Sequence, residues 1–464
     1  MRASIAAEKA GIRGTPIVAT GFLGQARATA RALGLENLAI SEYPGVPMTD
    51  SPEELRNKVA GVLVDNIIRG LTSSIEPSEK PVEPGPRDIV FKGTLKQVHK
   101  FFYENLWTDG LPIIPPTLEN VDEFLRFTDK SPSEIVGILP LEMREATVWN
   151  IAVNGVMAGC LPEYMPVLIA VVEAIAEPVF RLGDAGSTPG WEPLIILNGP
   201  IIKQLDFNYA SGAMRVGKQA NTSIGRFLRL FLRNVAGFRI TPGGTDKGSI
   251  AATFNVVLAE NEDAVTSLGW EPFSVDRGFH RGENVITVQS VAYTSPPAYS
   301  GGDNPLDHME TLAEVIGRRS AACWVFTGVH YGKWFPLLVI SPSVAKVLAK
   351  GGWTKDDVRR YLYENAKVSV ALLDKLARQC GNSTFDLCEY VDQGIAPKVY
   401  CESSDPDRMV PVFMRPDWIG IVVSGDPGRN QNKGYIQNHE QGPPVSKRIK
   451  LPWNWESMPK QPGA

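Results

Sequence analysis

Residues 145–176, EATVWNIAVNGVMAGCLPEYMPVLIAVVEAIA, are so consistently apolar that only a large interior can hold them. They predict a buried spine of two helices, one over 145–157 and one starting at Pro162, where a missing N–H costs little in the first turn. Between the helices stands Ala158-Gly159-Cys160. A sulfur just ahead of a helix N-terminus feels the positive end of the helix dipole, which favours thiolate over thiol. Cys160 is therefore the first candidate for a reactive group, the alternative being a small, inert core residue.

The chain of 464 residues has room for two or three domains with full cores. Its 47 basic and 51 acidic residues leave a net charge of -4, which gives no bias towards nucleic acid or anionic lipid. Five cysteines without a CxxC pair point away from a disulfide scaffold and a zinc ribbon. With no secretory pattern at the start and no apolar run long enough to span a membrane, the expected location is the cytoplasm. The 36 prolines and 43 glycines predict a loop-rich α/β protein.

Strands at 15–20 and 37–42 and helices at 22–33 and 51–71 predict a β-α-β-α piece over residues 1–72. This is a partial, incomplete doubly wound (Rossmann-like) unit, since two strands make a poor free-standing sheet. A Pro-, Ser- and Glu-rich linker over 73–93 separates it from a large α/β domain, 94–442, that holds the active-site cleft. Within that domain Trp191–Pro200 and Trp334–Pro342 read as one strand-turn-helix unit used twice, which predicts a pseudo-twofold arrangement with the cleft between its halves. Further strands are expected at 252–259, 284–293, 322–327, 409–414 and 420–424, with helices at 354–366 and 370–380. Residues 426–435 read as a polar loop over a pocket, and 443–464 as a proline-rich surface arm.

Several polar groups fall where ligands collect. Asn198-Gly199 closes an apolar strand at its carboxyl end, and Glu260, Asn261 and Glu262 close another, with carboxylates enough to bind a cation or raise one carboxyl pKa. Asn154, Asn221 and Arg226 are further substrate-binding candidates, and Asp109 sits in the turn Trp107–Pro112. Arg226, Arg229 and Arg233 recur on one side of a helix over 221–235. His308 with Asp307 is the candidate proton carrier, or a partial metal site awaiting His330 or His439. The segment Gly212–Lys218 has phosphate-loop spacing, but Gln219 replaces the Mg²⁺-binding hydroxyl, which argues against a nucleotide triphosphatase.

The order WTDGLPIIPPT, EATVWNIAVNGVMAGCLPEYMPV, PLIILNGP, NTSIGRFLRLFLRNVAG, LAENE, GWEPF, DH, PLLVISP is similar to the large domain of the UGSC (seleno)protein family. Residues 9–70 resemble the later half of that family's small domain, and the small domain's topology is also similar to selenoprotein subunits of glycine and proline reductases. The resemblance implies thiol or selenol chemistry at a U/C-G-S-C motif that this sequence lacks, since its first cysteine is Cys160. A partner small subunit that completes the sheet and supplies a selenocysteine or cysteine pair is the expected explanation; a late gene start is the other.

These readings together predict the large subunit of an oligomeric, heteromeric enzyme. It reduces or cleaves a small anionic substrate, with Cys160 as nucleophile or redox thiol. The alternatives are a lyase or hydrolase using a divalent metal at His308, Asp307 and Glu260, and a non-catalytic scaffold for a redox partner.

Overall fold

The computed structural model describes residues 1–47, 49–73, 84–185, 190–240, 254–382 and 384–460; part of the expected linker, the first residues of the strand expected at 252–259 and the last residues of the chain lie outside them. Strands β1 (Ile17–Ala19) and β2 (Ser41–Tyr43) pair in parallel around the helix Leu23–Ala32. Ser51 and Glu54 form a capping box that starts the helix Pro52–Lys58, with Pro52 in its first turn. This is the expected β-α-β-α piece, preceded by a helix over Arg2–Lys9. Its buried core is small, built on Ile5, Ala30 and Leu38, while Ile17, Phe22, Val62, Val64, Ile68 and Leu71 are exposed.

In the large part, β3 (Ile135–Leu139) and β4 (Arg144–Thr147) form a hairpin that feeds the helix Val148–Ala158. The Thr147 hydroxyl caps that helix and Gly159, at φ 81°, ends it, so the spine starts a few residues later than the apolar pattern indicates. The second spine helix, Met165–Ala176, is buried on almost every side.

The internal repeat is visible in the sheets. The first half contains β5 (Glu192–Asn198), β6 (Leu258–Ala259) and β7 (Val285–Val291), followed by β8 (Tyr293–Thr294) and β9 (Ala298–Tyr299). The second contains β10 (Leu337–Ile340), β11 (Lys367–Ser369), β12 (Met409–Pro411), β13 (Gly420–Val423) and β14 (Gln431–Ile436), followed by β15 (Val445–Arg448). One sheet runs β15-β7-β5-β6, the other β8-β14-β10-β13. The pairing sense is the same in both: antiparallel, antiparallel, then parallel. Each half also gives a strand to the other, because β8 follows β7 yet pairs with β14, and β15 follows β14 yet pairs with β7.

Side-chain alternation along these strands builds the layers. Leu194, Ile196, Leu258 and Val291 of one sheet meet Leu337, Val422 and Tyr435 of the other. The opposite faces carry Ile195, Leu197 and Val288 into the helices of the first half, and Leu338, Ile340 and Ile421 into those of the second. The result is helix, sheet, sheet, helix, and both faces of β5 are buried as this requires.

Three expectations fail here for identifiable reasons. Residues 322–327 are helical (Ala322–Trp324, Val325–Tyr331), because a short apolar run fits a buried helix as well as a strand. Half of the expected polar loop 426–435 is β14, an interior strand flanked by β10 and β8, with Asn432 and Gly434 buried. The C-terminal segment is no surface arm, since β15 lies on β7 and Trp455 is 2 % exposed, against Phe127 and hydrogen-bonded to Gln204 Oε1 at 3.2 Å. Trp455→Ala is expected to cost about 3–5 kcal/mol in denaturant unfolding; a change below about 1 kcal/mol would mean that the segment only decorates the surface.

Candidate functional site

Four of the residues singled out from sequence converge on the helix Gln219–Phe231 and its continuation Leu232–Ala236. Arg226 grips Asp109 through two 2.8 Å hydrogen bonds and donates a third, at 2.7 Å, to the Pro112 carbonyl. Arg233 donates to the Leu106 carbonyl, and Asn234 to both the Trp107 carbonyl and the Asn154 Oδ1. The turn 106–112 is thus hung from one helix by three side chains. Arg229 pairs with the buried Glu192 at 3.0 Å, so this arginine row holds the interior together instead of forming a surface ladder.

Cys160 lies against the same helix. Gln219 Nε2 donates to the Gly159 carbonyl at 3.2 Å, and the Ser223 hydroxyl and the Arg226 guanidinium both favour the ionised form of the thiol. Gln219, Ser223 and Arg226 fall at helical spacing on one face, a periodicity that could have added Gln219 and Ser223 to the candidates. Gly225 lets this helix approach, because a Cβ there would stand 2.2 Å from the Asn255 carbonyl oxygen. The charge state of the thiol differs from expectation. Burial pushes the Cys160 pKa up to about 12, only partly opposed by Ser223 and Arg226. The dipole of the following helix is outweighed because the sulfur is wrapped in the apolar core of the first half.

Asp109 behaves oppositely. Burial alone would raise its pKa, but the hydrogen bonds and charge of Arg226 hold it below the usual carboxylate range.

A second polar centre sits where β5, β6 and β13 end. The buried Glu260 accepts hydrogen bonds from Asn198 Nδ2 at 2.7 Å, from the Phe273 N–H at 2.6 Å and from the Val423 N–H at 3.1 Å, with Lys355 Nζ at 3.9 Å. Burial raises its pKa. Glu262 accepts from the Gly199 N–H and from Asn198, and Asn261 caps the helix Glu262–Ser267. Gly199, at φ 102°, opens the backbone to this chain's own Glu283 and Asn284, since a Cβ there would meet the Glu283 carbonyl at 2.4 Å. The sequence places Asn198 and Glu260 at the ends of two separate apolar strands; the structure brings them together as a hydrogen-bonded pair.

The remaining candidates are engaged elsewhere. Asn221 bridges Asn208 and Val257 with hydrogen bonds at 2.7, 3.0 and 2.8 Å, which ties a loop to the segment leading into β6 and uses both ends of its amide. His308 is fully buried in the second half, its ring nitrogens facing Ser300 Oγ at 2.7 Å and the Gly302 carbonyl at 3.1 Å. Asp307 is exposed and receives Asn304 Nδ2, so the two do not meet as a proton-carrying pair. His439 stacks on Trp324 and packs at a tilt against Trp334, and its pKa falls to about 3 through burial. Among the described residues no group of three or more His, Cys, Asp or Glu side chains is placed to hold a metal ion. Lys218, the lysine of the phosphate-loop spacing, pairs with Asp206. There is no disulfide scaffold among the described residues, but Cys388 and Cys401 form one disulfide; Cys160, Cys323 and Cys380 are free.

The fold is α/β, with a small two-stranded unit followed by two related halves, and no helix among the described residues is long and apolar enough to cross a membrane. The model of the UGSC family matches residues 1–73, the region of the small unit, and stops before the large part begins. No curated protein and no solved structure matches the chain.

The Asp109–Arg226 pair makes a pH-dependent contribution to stability. A carboxylate with a depressed folded pKa stabilises above its unfolded value, so the contribution is complete above about pH 4 and is lost as the pH falls through the folded value. Asp109→Asn is expected to cost about 1–3 kcal/mol at neutral pH and to flatten the acid limb of a stability–pH profile. An unchanged acid limb would show that the pair contributes nothing.

Proposed function

We propose that the chain is the large subunit of a heteromeric enzyme that carries out thiol- or selenol-linked reduction or bond cleavage on a small anionic substrate. The substrate is held where the Asp109–Arg226 pair meets Cys160. The observation that carries this reading is the convergence of a thiol, a hydroxyl and a guanidinium on one helix face, beneath a turn hung from the same helix. In the resting arrangement Cys160 is a protonated thiol, unsuited to attack. Withdrawal of the turn 106–112 strips Asp109 from Arg226, which leaves an unscreened cation beside the sulfur and offers the same guanidinium to the substrate's anionic group. Cys160 then serves as nucleophile or redox thiol.

The small unit supports the heteromeric part of the proposal. Its two-stranded sheet and its row of exposed apolar side chains, Ile17 at 58 % and Ile68 at 55 % among them, suit a partner subunit that adds strands and covers the face. That partner supplies the selenocysteine or cysteine pair of the family resemblance. Nothing in the arrangement of His308, Asp307 and Glu260 favours the metal-dependent lyase or hydrolase.

Alkylation of Cys160 tests the gate. Under native conditions iodoacetamide should label Cys160 far more slowly than the exposed Cys380, and Asp109→Ala should accelerate labelling of Cys160 by about tenfold, read by peptide mass spectrometry. If Asp109→Ala leaves the Cys160 rate unchanged, Arg226 does not govern the thiol and the proposal fails.

A further inference from the structure

The Cys388–Cys401 disulfide lies far from Cys160 in the fold's layering, on the helical side of the second half. It joins the helix Leu387–Asp392 to the turn Lys398–Cys401. Both cysteines are partly exposed and line an open cavity of about 500 Å³ with Asp374, Arg378, Glu402 and Arg408. Arg408 is held by the carbonyls of Tyr400 and Asp405, and its Nη2 stands 3.8 Å from Cys388 Sγ. A fixed cation therefore faces one sulfur of the pair. The cavity's walls carry two guanidinium groups and three carboxylates beyond the disulfide, one of which, Asp386, caps the helix Leu387–Asp392; the pattern is complementary to a molecule bearing both signs of charge.

We propose that this cavity is a thiol-exchange site that takes a small zwitterionic thiol of the cysteinyl-peptide class. The incoming thiolate attacks Cys401 Sγ. A new S–S bond forms to the incoming sulfur, the Cys388–Cys401 bond breaks, and its electron pair stays on Cys388 as a thiolate beside Arg408. The choice of sulfur follows from the leaving group, because a thiolate stabilised by a neighbouring cation leaves faster. A second thiol then attacks the small-molecule sulfur of the mixed disulfide, which releases the Cys401 thiolate and the oxidised dimer of the thiol. Two thiols are oxidised and one protein disulfide is reduced, so the two electrons balance. Arg378 receives the carboxylate of the bound thiol, and Asp374 and Glu402 receive its ammonium group.

The test uses the folded full-length protein and reduced glutathione as the probe, with acid quenching and peptide mass spectrometry. The mixed disulfide is expected on Cys401, with Cys388 free. 2-Mercaptoethanol, which lacks the charged groups, should react about tenfold more slowly after correction for intrinsic thiolate reactivity. Arg408→Gln should slow both thiols, whereas Arg378→Gln should slow glutathione alone. The wild-type measurements need no variant to fold. An adduct mainly on Cys388, equal corrected rates for the two thiols, or reduction only after denaturation would overturn the proposal and leave the disulfide as a structural crosslink.

Discussion

One carboxylate joins the two halves of the large part. Glu260 ends β6, yet its oxygens take hydrogen bonds from the end of β5, from the turn at Phe273 and from β13 of the other half. A buried carboxylate is costly unless every lone pair is used, so any arrangement that pulls these elements apart strands a charge or a donor in the interior. Lys355, 3.9 Å from Glu260 and 3.2 Å from Asp276, extends the same network into the second half, where Arg359 also reaches Asp276 at 2.7 Å. Hydrophobic contact between the sheets is non-directional and tolerates sliding; these hydrogen bonds fix the register at which the faces meet.

The exchange of β8 and β15 makes the same point in the backbone. The four-stranded sheet takes β15 from the second half and the five-stranded sheet takes β8 and β9 from the first, so neither is complete without the other half. The chain returns from β14 through the buried polar run Gln437–Gln441 before β15 crosses back, with Gln437 bonded to Phe335 and Gly442. This interior holds the outer helical layers in fixed positions. On one outer layer stand Cys160 and the Asp109–Arg226 pair, and on the other the Cys388–Cys401 disulfide, so the two sulfur chemistries proposed here are separated by both sheets.

Much of this was legible in the residues. The two Trp-x-Pro strands named the repeat, because a buried strand closed by a proline turn leaves a pattern in a handful of residues. The helix after Ser51 was legible through capping chemistry, which is local. The strand β15 was hidden by the prolines around it, and the helix at Val325–Tyr331 by an apolar run with no period to separate helix from strand. The convergence of Asp109, Asn154, Cys160 and Arg226 could only be guessed, since it depends on where a turn and a helix more than a hundred residues apart come to rest. The charge state of Cys160 was misjudged for a related reason: sequence shows the helix that follows the sulfur but not the core that surrounds it. The pairing of Cys388 with Cys401 is likewise invisible to spacing, because it is set by the three-dimensional meeting of a helix and a turn.

The central claim, that the halves are locked into one cooperative unit through Glu260, is tested most directly by native-state hydrogen exchange on wild-type and Glu260→Gln protein. The amide group of Gln turns a donor towards groups that already donate. The account predicts that exchange at Phe273, in the first half, and at Val423, in the second, accelerates together and by the same factor. Acceleration at one of these amides with the other unchanged would contradict it.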